Sequence, residues 1–189
     1  MSEVWLITGI PGAGKTTIAR LLARQFERGA HIEAERLQEW IVSGGVWPGD
    51  EPVEENARQL DLLTRNACLL ARSYAEAGFN VTIDHVVITR HRVEEYQDRL
   101  AGLPLHIVVL DPGKDMAASR DRARIKSQEQ IQRIGVSIAE RWAHLEDVMR
   151  AELGGIGLWI DNSSLTAEDT LSAILAHQAE ALLASEPRP

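Results

Sequence analysis

Residues 6–23 read LITGIPGAGKTTIARLLA, and the eight from Gly9 to Thr16 fit the pattern G-x-x-x-x-G-K-[ST] at every position. The run VWLIT at 4–8 reads as a buried strand, and the residues after the motif place Ile18, Leu21, Leu22 and Phe26 at helical spacing. The motif therefore sits where its chemistry requires, between a strand and the first turn of a helix. Gly9, Gly12 and Gly14 let backbone N–H groups turn inward and approach phosphate oxygens with no Cβ in the way. The helix N-terminus adds partial positive charge at the same point. In this reading Pro11 and Ala13 complete the cradle and Lys15 reaches the β- and γ-phosphates. The Thr16 hydroxyl ligates Mg²⁺, and Thr17 touches the α-phosphate.

Outward from this loop, short β-rich runs alternate with longer helical patterns. AHIE (30–33), NVTIDHVVI (80–88), LHIVVLD (105–111) and GLWID (157–161) are the further strands. Between them, helical patterns run over 35–44, 54–77, 90–100 and, strongly polar, 114–150, with a last helix opening near Thr166. GGVWPGDEP at 44–52 is a loop by its Gly and Pro content. Continuous apolar strands alternating with helices predict an α/β fold with a mostly parallel sheet covered on both faces. Ligands of such sheets bind beyond the carboxyl ends of the strands.

The length of 189 residues suits a single domain spanning 1–189. A formal net charge of −8 repels phosphate backbones and makes a general nucleic-acid binder an unfavourable reading. Cys68 is the only cysteine and lies in an apolar helical run, so it reads as a small buried hydrophobe. The six histidines show no metal-ligand spacing. Neither a secretory leader nor a membrane span is expected, which predicts a cytoplasmic protein.

Three groups of residues complete a candidate site. Asp84, which follows VTI in the third strand, suits a carboxylate that orients the Mg²⁺ water shell; Asp111 is its rival after the fourth. SRDRARIKSQEQIQR (119–133) gathers Arg120, Arg122, Arg124, Lys126 and Arg133 in an otherwise acidic chain. Such guanidinium groups can stabilise the charge spread over a transferring phosphoryl group, and a lid over about 117–136 follows. Glu33 and Glu35, in HIEAER, point to one face if the chain stays extended, and Glu35 is favoured as the base that takes a proton from a hydroxyl. Trp40, Val46, Trp47 and Pro48 offer apolar walls for an organic alcohol, with Arg58, Arg65, Asn66 and His85 as further acceptor-facing residues.

On these residues the chain resembles the small P-loop kinases of the adenylate-kinase-like group, above all chloramphenicol phosphotransferase-like and gluconate-kinase-like proteins. SRDRAR is similar to their R-[ED]-R-A-R lid segment, which implies lid roles for Arg120 and Arg124, with Arg133 farther on. IDNSSLTAEDTLSAI (160–174) resembles their last strand and turn, where backbone lies by the nucleotide base. Glu35 stands where that group has an aspartate as base. The resemblance implies a three-layer P-loop NTPase fold, a five-stranded parallel sheet of order 2-3-1-4-5, and a mobile lid. The expected activity is transfer of the γ-phosphoryl group of ATP, or of GTP, with Mg²⁺ to a small hydroxylated molecule. An NTP hydrolase or nucleotide-controlled switch is the rival, and the oligomeric state stays open.

Overall fold

The computed structural model describes residues 2–123 and 137–183. Its strands are β1 (Val4–Gly9), β2 (Gly29–Glu33), β3 (Asn80–Asp84), β4 (Leu105–Leu110) and β5 (Leu158–Ile160). They form one parallel sheet in the order β2-β3-β1-β4-β5, the P-loop NTPase arrangement. Every residue of β1 and β4 is buried, which is why both read as unbroken apolar runs instead of alternating ones.

The described helices are α1 (Lys15–Ala23), α2 (Ala34–Glu39), α3 (Val53–Glu76), α4 (Arg90–Arg99), α5 (Lys114–Arg122), α6 (Ile138–Arg141), α7 (Leu145–Leu153), α8 (Ala167–Ala176) and α9 (Gln178–Ala181). On one face of the sheet, α1 lies against β3, where the Thr82 hydroxyl donates to the Ala19 carbonyl at 3.0 Å. The long helix α3 turns Leu63, Ala67, Cys68, Ala71 and Ala75 inward, a stripe at helical spacing whose small members allow close packing. Burial pushes the Cys68 thiol up to about 12, so it packs as an inert hydrophobe, as its sequence context suggests. No helix among the described residues is long and apolar enough to cross a membrane.

Three elements end before their sequence patterns do. The pattern NVTIDHVVI extends to residue 88, but β3 stops at Asp84. Thr8 of β1 supplies the cause: its hydroxyl donates to the Val87 carbonyl at 2.7 Å and accepts from the Val87 N–H at 2.9 Å. A side chain thus takes the place of the next strand residue in the ladder. The helical pattern over 35–44 also shortens, since α2 ends at Glu39 and the chain passes into the loop before α3. The polar stretch 114–150 is not one helix. Its described part divides into α5, α6 and the start of α7, and α6 opens with a reciprocal capping box between Ser137 and Glu140. Arg124, Lys126 and Arg133 lie outside the described residues.

Thr8→Val keeps the volume of the side chain but strips the Val87 carbonyl of its donor in a fully buried setting. Urea denaturation should show a loss of about 1–3 kcal/mol, the usual cost of leaving a buried polar group unpaired.

Candidate functional site

The loop between β1 and α1 has the backbone its glycines anticipate. Gly12 (φ +86°) lies against α5 so closely that a Cβ would run into the Ala117 carbonyl. Gly14 (φ +97°) is the left-handed residue from which α1 departs. Lys15 is 7% exposed, and its amine donates to the Ile10 carbonyl at 3.2 Å, across the mouth of the loop. Thr17, in the first turn of α1, is exposed.

At the carboxyl edge of the sheet the Thr16 hydroxyl donates to Asp84 Oδ2 at 2.6 Å. On the other side of the same carboxylate, His31 Nε2 lies 2.6 Å from Oδ1. Burial alone would raise the Asp84 carboxyl, but the hydrogen bonds from His31 and Thr16 and the charges of His31 and Lys15 together hold it below its ordinary value. Asp84 is 1% exposed and stays ionised. Asp111, its sequence-level rival, is held instead by both ends of the Arg150 guanidinium, at 2.9 and 3.2 Å.

These oxygens suit Mg²⁺. A hard cation takes oxygen donors, and the Thr16 hydroxyl can lend a lone pair to the ion while it donates its own proton to Asp84. Among the described residues no three His, Cys, Asp or Glu side chains gather to hold an ion by themselves. A cation there would complete its shell with waters and phosphate oxygens, as Mg²⁺ commonly does.

The two glutamates do not share an extended face as the sequence pattern suggests. Glu33 closes β2 level with Asp84 and is the residue before α2; its carboxylate lies 3.5 Å from the Arg36 guanidinium. Glu35 belongs to the first turn of α2 and is exposed, where an acid favours the helix dipole. It follows by two residues Glu33, the register partner of Asp84, and so comes just after the carboxyl end of β2.

Arg120 donates to the Asn162 carbonyl at 2.7 Å, and the Asn162 amide donates to the Ala13 carbonyl at 3.1 Å. Helix α5 is thereby tied through the loop after β5 to the loop between β1 and α1. Arg122 turns elsewhere and pairs with Glu140, whose carboxyl is held down to about 2 by that guanidinium and by Ser137.

Several proposed acceptor residues lie farther out. Trp40 is 70% and Trp47 47% exposed. Arg65 is exposed and lines a cleft of about 660 Å³ with Ile41, Gly44, Gln59, Asp61 and Arg99, none of them in the phosphate loop. His85 alternates to the opposite face of β3 from Asp84, is 5% exposed, and meets the Tyr96 hydroxyl of α4 at 3.0 Å. Its Nδ1 is thereby partnered inside the core.

Sequence reasoning missed His31, Asn162 and Gln59. Gln59 accepts from Gln38 and the Val46 N–H, both at 2.8 Å, and donates to the Gly44 carbonyl at 2.7 Å, so it organises the loop that leads from α2 to α3. That loop also reaches α6: Asp50 pairs with Arg141, the last residue of that helix, at 3.4 Å. Only the final-turn resemblance of IDNSS pointed near any of the three, at Asn162.

His85 makes stability depend on acid pH. Burial, with help from the charges of Arg92 and Lys15, lowers its imidazole from 6.5 to about 3. Between those values the unfolded chain binds a proton that the folded protein refuses. Its contribution is therefore fully present above pH 6.5 and is lost as pH falls toward 3. Urea titrations across this window should show a slope of about 1.4 kcal/mol per pH unit from this group, and His85→Gln should remove it.

Comparison with known proteins agrees with this fold. No curated protein matches the chain. Among solved structures, a sugar kinase from Janibacter sp. HTCC2649 is 18% identical, with 96% of each chain covered and a TM-score of 0.67. Shikimate kinase from Bacteroides thetaiotaomicron is 18% identical, covering 94% of this chain and 98% of its own, with a TM-score of 0.67. The tunicamycin resistance protein of Deinococcus radiodurans is 18% identical over 98% of this chain and 100% of its own, with a TM-score of 0.63. At that identity the likeness speaks for the fold. Residues 4–144, from the first strand through the phosphate loop and past α6, match the AAA domain family, and the chain belongs to that family.

Proposed function

We propose that the protein is a phosphotransferase that moves the γ-phosphoryl group of a nucleoside triphosphate, ATP above GTP, to the hydroxyl of a small organic acceptor. The observation that carries this reading is the Thr16–Asp84 hydrogen bond beside the phosphate loop, with Glu35 in the first turn after β2. The kinases among the similar structures support it.

Loop amides and Lys15 hold the β- and γ-phosphates in line for attack, and Gly14 directs the amino end of α1 at them. Thr16, with Asp84 behind it, would hold Mg²⁺, which would supply charge neutralisation on the phosphate oxygens. Glu35, the exposed carboxylate of α2, takes the proton from the acceptor hydroxyl. Arg120, on the lid helix, is the described guanidinium that neutralises charge, and Arg124 and Arg133 extend the role to the segment beyond it. The acceptor lies between α2 and the loop carrying Trp47, so that Glu33, Trp40, Trp47 and Arg65 border its approach. His85, packed on Tyr96, contributes to the sheet behind the site and not to the acceptor.

The exposure of Glu35 also favours a second reading, hydrolysis, in which the same carboxylate positions water. Release of inorganic phosphate and ADP from Mg·ATP separates the two. A kinase gives negligible phosphate without acceptor and ADP once a hydroxylated compound from a panel of metabolites and antibiotics is added. Rapid phosphate release that no compound diverts identifies a hydrolase.

Lys15→Ala should abolish ADP formation with every acceptor. Glu35→Gln should leave nucleotide affinity within about twofold and lower kcat by about a hundredfold or more. Unchanged turnover in Glu35→Gln removes that residue from the mechanism.

A further inference from the structure

His31 takes no part in the chemistry described above, yet its placement is specific. It lies on β2, level with Thr82 of β3. Thr82 faces α1, where its hydroxyl reaches the Ala19 carbonyl, and Asp84 faces α1 two residues later, where it meets Thr16. Level neighbours in a parallel sheet project to the same face, so His31 enters the space between the sheet and α1 beside Asp84. Its side chain is 13% exposed and its Nε2 stands 2.6 Å from Asp84 Oδ1. An ionised carboxylate only accepts, so the proton of this contact belongs to the imidazole. Thr16 occupies the other oxygen at the same distance, 2.6 Å. A carboxylate held from both sides cannot rotate about its terminal bond, and Oδ2 stays turned toward the Thr16 hydroxyl.

We infer that His31 is a positioning residue for the metal side of the site: by donating Nε2–H to Asp84 Oδ1 it orients the carboxylate that holds the Thr16 hydroxyl for a divalent cation. The inference rests on the proposed roles of Thr16 and Asp84. Groups that hold a ligand in place behind a metal commonly change metal affinity by about 10–100-fold when removed. His31 touches neither nucleotide nor acceptor in this arrangement, so its effect should fall on the cation and spare the nucleotide.

The test is binding of Mn²⁺ to the full chain in the presence of ADP, followed by electron paramagnetic resonance, beside ADP binding without metal. His31→Leu should weaken Mn²⁺ by about tenfold or more and leave metal-independent ADP binding within about twofold. His31→Gln, which keeps an amide donor, should recover most of the Mn²⁺ affinity. Unchanged Mn²⁺ affinity in His31→Leu, or equal loss of both affinities, overturns the inference. Should His31→Leu not fold, Asp84→Asn is compared with Asp84→Asn/His31→Ala, in which the donor is removed. A residue acting through the carboxylate adds no further loss once the carboxylate is gone, and additive losses overturn the inference. Wild-type protein that binds ADP but no Mn²⁺ with it overturns the metal-side roles of Thr16 and Asp84 as well. Normal wild-type binding with an indifferent His31 overturns this inference alone.

Discussion

A carboxylate that is 1% exposed is tolerated only if it is fully partnered, and Asp84 sets that constraint at the centre of the molecule. Its two oxygens are held by Thr16 from α1 and His31 from β2, while its own backbone pairs with β1 and β2. Four elements must therefore arrive in one register. A shift of a single residue in β3 would turn Asp84 into the opposite layer and bring His85 toward α1. The alternation that keeps Asp84 on the phosphate side is the same one that buries His85 against Tyr96.

Around that centre, polar tethers replace regular structure wherever the chain turns. Thr8 ends β3 by taking hold of Val87, and Gln59 gathers the backbone of the loop after α2. Asn162 joins Arg120 to the carbonyl of Ala13. These two hydrogen bonds join α5 to the backbone of the phosphate loop, so the position of that helix and the shape of the loop depend on each other. The pairing of Asp50 with Arg141 likewise joins the loop before α3 to the end of α6.

Much of this was legible in the chain. The glycines, Lys15 and Thr16 of the loop declare a phosphate cradle, because that backbone path excludes other residues. The five strands and their parallel class follow from unbroken apolar runs alternating with helical ones. Asp84 was visible from its position at a strand end. His31 was not, since a histidine in an edge strand has no local mark of a partner 53 residues away. Glu33 and Glu35 misled because their spacing suits a strand, whereas the chain turns helical at Ala34 and separates them.

The division has a physical basis. Sequence by itself determined what local sterics and periodicity control: the glycine turn, the helix that follows it, and which strands are buried on both faces. Tertiary structure alone decided which polar groups meet, that Asp84 is shared by Thr16 and His31, that Asp111 belongs to Arg150, and that His85 serves the core. Those pairings depend on strand order and register, which bring residues far apart in the chain within hydrogen-bond reach, and no local pattern encodes a distance of that kind.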